Sequence, residues 1–136
     1  MTTDPSVLRS LAVSAEDLVA AMEADARAGQ PTVLRVTPPF SGRMRARLHV
    51  VQADEDDETI HVPPTALVEA PPPYPTPDET ADELRSRDDA TYSVERHREY
   101  HEQRVDTWRT ALLDSVVDTV SLPAVDHDID VSVLGT

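Results

Sequence analysis

Residues 32–51, TVLRVTPPFSGRMRARLHVV, decide the fold, because they contain two runs in which apolar and polar side chains alternate. Alternation with a period of two predicts a β-strand that has one apolar face and one polar face. The first run extends from Thr32 to Thr37 and the second from Arg43 to Val51, and the segment between them is rich in Pro and ends in Gly42. The stretch therefore predicts a β-hairpin.

The two faces of this hairpin differ in charge. The apolar face of the second strand consists of Met44, Ala46, Leu48 and Val50. A basic stripe is expected on the opposite face, and it consists of Arg35, Arg43, Arg45, Arg47 and His49. A guanidinium group binds carboxylate and phosphate through two parallel hydrogen bonds, so the stripe is the main candidate for an anion-binding or partner-binding surface. The alternative is that the stripe pairs internally with acidic residues 54–58 or 78–83.

Helix and strand patterns on both sides of the hairpin predict an α+β fold. A helix capped by Ser14 is expected from Ala15 to about Ala28, before Gly29. The other expected elements are a tail or short arm over 1–12, a strand over 59–62, a helical turn over 65–69, helices over about 77–87 and 94–120, and a strand over 129–133. The order α-β-β-β-α-α-β predicts a two-layer sandwich, with helices on one face of a mostly antiparallel sheet of about four strands.

The length of the chain favours one domain. A chain of 136 residues can bury one core, but it is too short for two domains of ordinary size, so residues 1–136 are expected to form a single domain. Residues 71–77 contain five prolines, which favour an extended conformation. We expect residues 70–77 to be a spacer on the surface, and a role as a ligand for an aromatic groove is the weaker alternative.

The charge composition is unusual for a chain with a normal apolar content. The net charge is −14, all 12 basic residues are Arg, there is no Cys, and hydrophobic residues still make up 39% of the chain. Carboxylates remain hydrated in concentrated salt, and salt at 1 M screens their repulsion over about 3 Å. With the run from Thr37 to Arg43, this composition resembles the small acidic proteins of haloarchaea, a group that implies no particular activity. An acidic mesophile protein that lacks Lys by chance, or a GC-rich genome, would be the alternative explanation.

The hydropathy pattern contains neither a membrane segment nor a signal peptide, and the cellular location is predicted from this. No apolar run approaches the roughly 18 residues that a bilayer requires, and the first residues contain neither a basic segment nor an apolar segment of a signal peptide. We therefore expect a cytoplasmic protein without a membrane segment.

His97 and His101 are the second candidate site, because residues one helical turn apart can share a metal ion. Glu99, Glu102 or residues 126–128 could supply a third ligand. The zincin motif is absent, since Arg98 stands where that motif requires Glu. The alternative to a metal site is that both imidazoles are half-buried packing residues.

The remaining motifs exclude several classes of enzyme. Three glycines, at 29, 42 and 135, cannot form a P-loop or a dinucleotide fingerprint, and the chain has neither a Cys nucleophile nor a Gly-x-Ser-x-Gly elbow. No cofactor is expected. A metal-dependent enzyme at His97 and His101 remains as the third hypothesis.

The leading hypothesis is a non-enzymatic binding or adaptor protein. Its basic stripe and the polar half of the last long helix, from Val94 to Arg104, would contact a protein partner or another copy of the chain. The second hypothesis is a nucleic-acid-associated regulatory protein. Four phosphate contacts would give a slope of about −3.6 in a plot of log affinity against log salt concentration. Binding at high salt would therefore also need stacking, for which the hairpin offers Phe40 and the arginine side chains.

Overall fold

Six β-strands and three α-helices form the part of the chain that the computed structural model describes, namely residues 2–27, 31–51, 59–87 and 91–135. The strands are β1 (Ser10–Ser14), β2 (Thr32–Val36), β3 (Arg43–Val50), β4 (Ile60–Val62), β5 (Thr119–Val120) and β6 (Ile129–Leu134). The helices are α1 (Ala15–Ala26), α2 (Pro77–Arg85) and α3 (Val94–Asp114), and short 3-10 helices occur at Pro5–Val7 and Pro64–Leu67. The predicted helix-terminating Gly29 and the acidic turn at 53–58 lie outside the described residues.

All six strands belong to one mixed sheet with the order β4-β2-β3-β1-β6-β5. β2 pairs antiparallel with β3 and β4, and β5 pairs antiparallel with β6, whereas β1 is parallel to both β3 and β6. The α+β class and the β2–β3 hairpin are confirmed. The prediction of a mostly antiparallel sheet of about four strands is wrong, because it lacked β1 and β5.

β1 lies in the interior of the sheet, so the prediction of a tail or arm over residues 1–12 is also wrong. Leu11 and Val13 are each 1% exposed and face the core. Only five residues alternate here, and the strand has no loop after it, because Ser14 is both the last strand residue and the N-cap of α1. The Ser14 hydroxyl accepts a hydrogen bond from the backbone N–H of Asp17 at 3.0 Å, which confirms the predicted cap.

The direct passage from β1 into α1 also affects β3. β1 ends at Ser14, whereas β3 continues to Val50, so the last backbone donors of β3 have no strand beside them on that side. The Asp17 carboxylate accepts a hydrogen bond from the Leu48 N–H at 3.2 Å. The first turn of α1 thus satisfies a backbone group that would otherwise remain unpaired.

One hydrophobic core joins the sheet to α1 and α3. α1 contributes Leu18 and Met22, and α3 contributes Trp108 and Leu112, to the cluster that contains the buried residues of the sheet. Burial of each such side chain stabilises the fold by about 1.5 to 3 kcal/mol. α2 packs mainly against α3. None of the helices in the described ranges combines the length and the apolar character needed to cross a membrane.

α3 is shorter than predicted, since it ends at Asp114 and not near residue 120. Val116 forms an isolated antiparallel bridge with Val68, and the Val117 N–H donates to the Leu67 carbonyl at 2.9 Å. Thr119 and Val120 then form β5. Val116 was expected to lie in the helix, but it is half-buried by its strand-like pairing with Val68.

The Pro-rich segment is attached to α3 by its aromatic side chains. The Trp108 indole N–H donates to the Pro72 carbonyl at 3.0 Å, and the Tyr74 ring packs edge-on against the Trp108 ring with centroids 4.8 Å apart. Pro75 is buried. The spacer thus crosses the helical layer and covers the only tryptophan of the chain.

Candidate functional site

The predicted basic stripe lies on the side of the sheet opposite the core, which we call the outer face. Alternation along β3 turns Ala46 into the core and places Arg43, Arg45 and Arg47 on the outer face, where all three are exposed. We call these three residues the arginine ridge. The register places Arg35 of β2 beside Arg47, and the sheet thereby brings together the predicted residues of the stripe.

The arginines of the outer face have no partners in the part of the chain that the structure describes. Within those residues, the side chains of Arg35 and of the arginine ridge make no hydrogen bond and no ion pair. Two carboxylates of α2 have other partners, since Glu83 binds Arg104 at 2.9 Å and Asp82 lies 3.5 Å from Arg85, and neither Asp78 nor Glu79 forms an ion pair with a described residue. The predicted alternative partners at 54–58 lie outside the described residues.

The two histidines of the outer face differ from the arginines because both have partners. The rings of His49 and His61 lie with their centroids 5.8 Å apart, and His61 is the β4 residue that pairs with Arg35. The hydroxyl of Thr59 also lies 3.3 Å from the His61 ring nitrogen Nε2. His61 was missed in the sequence because a strand of three residues shows little alternation.

Charge is segregated on this protein. The chain as a whole contains 26 acidic and 12 basic residues, yet four of its arginines lie on the outer face. Among the strand residues that the structure describes on that face, Asp130 is the only acidic one. The outer face is therefore a positive surface on a strongly negative molecule, and such a surface attracts anions.

A trough runs along β1 beside Arg43 and Arg45 of the arginine ridge, and we call it the β1 trough. Its floor consists of the small residues Ser10 and Ala12, and its volume is about 760 Å³. The register places Ser10 between Arg43 and Asp130, and Ala12 between Arg45 and Ser132. One wall is thus formed by β3 and the other by β6, which also contributes Leu134.

The floor of the β1 trough was missed because β1 was not predicted. The alternation of Leu11 and Val13 with smaller neighbours was the available signal. Ser14 was interpreted only as the N-cap of α1, so the outward-facing Ser10 and Ala12 were not connected with the stripe.

Phe40 is not available for stacking, which corrects the expectation that it could serve as a platform for bases. Its side chain is 1% exposed and belongs to the hydrophobic core. Its backbone forms a bridge to Thr2. Among the described strand residues of the outer face, the only aromatic rings are those of His49 and His61.

His97 and His101 do come together, but a hydroxyl group lies between them. The Thr80 Oγ1 atom lies 2.9 Å from His97 Nε2 and 2.9 Å from His101 Nδ1, and Thr80 is fully buried. His97 Nε2 also lies 3.0 Å from the Pro77 carbonyl oxygen. The arrangement fits half-buried packing residues that connect α2 with α3. Thr80 was missed because no pattern in the neighbouring sequence indicates that it is buried.

The expected third metal ligands do not join the histidine pair. Across the described ranges, no group of three or more His, Cys, Asp or Glu residues is arranged to hold a metal ion. His127, one of the residues expected to contribute, contacts Arg9 at 2.8 Å and the carbonyl oxygen of Leu8.

The polar half of α3 is partly covered by α2. Arg104 donates to the Glu83 carboxylate at 2.9 Å, and the Tyr100 hydroxyl donates to the same carboxylate at 3.1 Å. The hydrogen bond from Arg104 lowers the pKa of Glu83, and burial raises the pKa of Tyr100, with a further contribution from its bond to Glu83. This side of α3 serves the packing of two helices.

Comparison with known proteins gives a family but no activity. No curated protein and no solved structure matches the chain. A family model described as a domain of unknown function (DUF8009) matches residues 1–135, which is nearly the whole chain. The chain therefore belongs to the DUF8009 family.

Proposed function

We propose that this protein is a non-enzymatic binding or adaptor protein of a haloarchaeal cytoplasm, and that its outer face binds an acidic surface of a protein partner. The observation that carries the proposal is the set of arginines without partners within the described residues. Arg35, Arg43, Arg45 and Arg47 lie on one face, where Arg35 is half-buried and the other three are exposed, and no described residue binds their guanidinium donors. Carboxylates are the natural partners of such donors.

The charge of the outer face favours a partner over a symmetric dimer through the same face. Two outer faces brought together would oppose one arginine ridge to another, and such like-charge contacts cost several kcal/mol. A second copy could bind only through a different, acidic surface. A separate acidic protein meets the requirement without this restriction.

Nucleic acid is the second candidate, since phosphates would also bind the arginine ridge. The burial of Phe40 removes one of the two kinds of side chain on which bases were expected to stack and leaves only the arginines. With fewer stacking platforms, affinity rests mainly on the phosphate contacts and falls steeply with salt. These observations favour carboxylates over phosphates as the ligand.

The test is a titration with two defined anions. A fluorescein-labelled peptide of Glu and Ser, and a labelled oligothymidylate of equal charge, are titrated with the protein and followed by anisotropy. The KCl concentration is the lowest at which circular dichroism shows the folded protein. The variant Arg43→Gln/Arg45→Gln/Arg47→Gln is compared with Arg96→Gln/Arg98→Gln/Arg109→Gln on α3, which changes the net charge equally and includes two arginines of the polar half of that helix.

We expect the wild type to bind the peptide and the ridge variant to bind it about 10-fold to 100-fold more weakly, from about two-fold to five-fold per arginine. The α3 variant should bind like the wild type. Stronger binding of the oligothymidylate would favour the nucleic-acid alternative. Equal loss in the two variants would show that only net charge matters, and it would overturn the assignment to the outer face.

A further inference from the structure

We infer that the β1 trough takes an extended segment of the acidic partner, whose carboxylates stand at every second residue and face the arginine ridge. The inference rests on the proposed function and adds the shape of the ligand to it. Three features carry it: the repeat of the ridge, the width of the trough and the chemistry of its second wall.

The repeat of the arginine ridge matches an extended chain. Arg43, Arg45 and Arg47 are two residues apart on a strand, so neighbouring arginines are spaced about 6.6 to 6.8 Å apart along the strand. Alternate residues of an extended peptide have the same repeat, so two carboxylates can meet Arg43 and Arg45 in the trough in register, and a third can meet Arg47, which follows on β3 but does not line the trough. Residues four apart on a helix rise only about 6.0 Å and turn by about 40°, so a third carboxylate would already point away from the ridge.

The width of the β1 trough also favours an extended chain. Its walls are β3 and β6, which stand two strand spacings apart, or about 9.5 Å. Its floor is low because Ser10 and Ala12 are small. A helix with side chains is about 10 to 12 Å across and would rest on the walls, whereas a single extended chain can enter.

The second wall selects what stands between the carboxylates. In an extended peptide that lies along the trough, successive side chains point to opposite walls. Those that point away from the ridge face Asp130, Ser132 and Leu134. Asp130 stands level with Arg43 across Ser10, and no described residue forms an ion pair with it. It repels a carboxylate at that position, so the trough favours acidic residues that alternate with neutral ones.

The experiment compares two labelled peptides of identical composition, one with alternating Glu and Ser and one with all Glu residues in a block. Wild-type protein should bind the alternating peptide about 3-fold to 10-fold more tightly, an effect of about 0.7 to 1.4 kcal/mol. The variant Asp130→Asn should reduce this preference to below about 2-fold, because it strengthens binding of the block peptide.

A second variant tests the trough without changing charge. Ala12→Leu raises the floor between the walls and leaves all arginines in place. It should weaken binding of the alternating peptide by about 10-fold, while the folded state, followed by circular dichroism, is retained because residue 12 faces away from the core.

The outcomes separate this inference from the proposed function. Equal binding of both peptides by the wild type, or wild-type affinity in Ala12→Leu, overturns the extended ligand. If the ridge variant still binds more weakly in that case, the proposed function stands. If neither peptide shows binding that depends on the ridge arginines, both proposals fail.

Discussion

The substitution Thr80→Val should loosen the contact between α2 and α3, because it removes the hydroxyl that lies between two histidines. Valine keeps the shape of threonine, so the change creates no cavity. What is lost are the contacts of Oγ1 with His97 Nε2 and His101 Nδ1, each at 2.9 Å, and with the carbonyl oxygens of Thr76 and Pro77 at 3.2 and 3.1 Å.

The size of the effect depends on which atoms remain without a partner. His97 Nε2 still has the Pro77 carbonyl at 3.0 Å, whereas His101 Nδ1 loses its contact with Thr80. A buried polar group left unsatisfied costs about 1 to 3 kcal/mol, and His101 is only half-buried, so we expect a loss of about 1 to 2 kcal/mol in the free energy of unfolding. For a chain of this size, that corresponds to a fall of roughly 3 to 8 °C in Tm.

The assay is urea unfolding followed by circular dichroism in concentrated KCl. Thr107→Val on α3 is the matched control, because the exposed Thr107 hydroxyl donates only to the Gln103 carbonyl at 3.0 Å. The control substitution should change the unfolding free energy by no more than about 0.5 kcal/mol. The reasoning is refuted if both variants lose the same stability. It is also refuted if the loss in Thr80→Val does not shrink when His101 is replaced by Gln in the same chain, because coupled residues are not additive.

Three further predictions concern charge and packing. The Arg104 hydrogen bond lowers the pKa of Glu83, so this group stabilises the fold above the ordinary Glu pKa, and the gain is lost as pH falls through the lowered value. Glu83→Gln should thus reduce the loss of unfolding free energy between about pH 6 and pH 3 by about 0.5 kcal/mol. The expected difference is small because both partners are over a third exposed, and an unchanged pH profile would contradict it. Leu11→Ala in β1 should lower the unfolding free energy by about 2 to 5 kcal/mol in urea titrations, whereas a loss below about 1 kcal/mol would mean that β1 is not part of the core. Transfer from about 2 M to about 0.1 M KCl should lower Tm in differential scanning fluorimetry, because a net charge of −14 is then less screened, and a constant Tm would argue against adaptation to salt.

The elements that sequence reasoning predicted well are those whose signals are local. The second strand of the hairpin has eight residues in one uninterrupted alternation of polar and apolar side chains, and the start of α1 has a capping hydroxyl at Ser14 and acidic residues in its first turn. The N-cap at Thr76 likewise accepts a hydrogen bond from the Glu79 N–H. Such signals act within a few residues, so the sequence alone exposes them.

The elements that were missed depend on distant parts of the chain. β1 is stabilised by pairing with β3 and β6, whose partner residues are more than thirty or more than a hundred positions away. β5 has two residues and exists because β6 lies beside it. No local pattern reveals such pairing, and without β1 the small floor next to the arginine ridge could not be predicted either.

The candidate sites followed the same rule. The arginine stripe was predicted because a single strand carries most of it, and the sheet adds His61 from β4. The histidine pair was predicted from helical spacing, but the buried Thr80 between the two rings comes from another helix. Spacing within one element indicates which side chains share a face, and the neighbouring element decides what they contact.

The most direct test of the central claim is the unfolding free energy of Arg43→Gln/Arg45→Gln/Arg47→Gln, measured by urea titration with and without neutralisation of the acidic residues at 54–58. If the arginine ridge serves binding and not the fold, the three substitutions should change the unfolding free energy by less than about 0.5 kcal/mol each, and the effect should be the same in both backgrounds. A loss of several kcal/mol that disappears when residues 54–58 are neutral would show that the ridge is paired internally, and it would contradict the account.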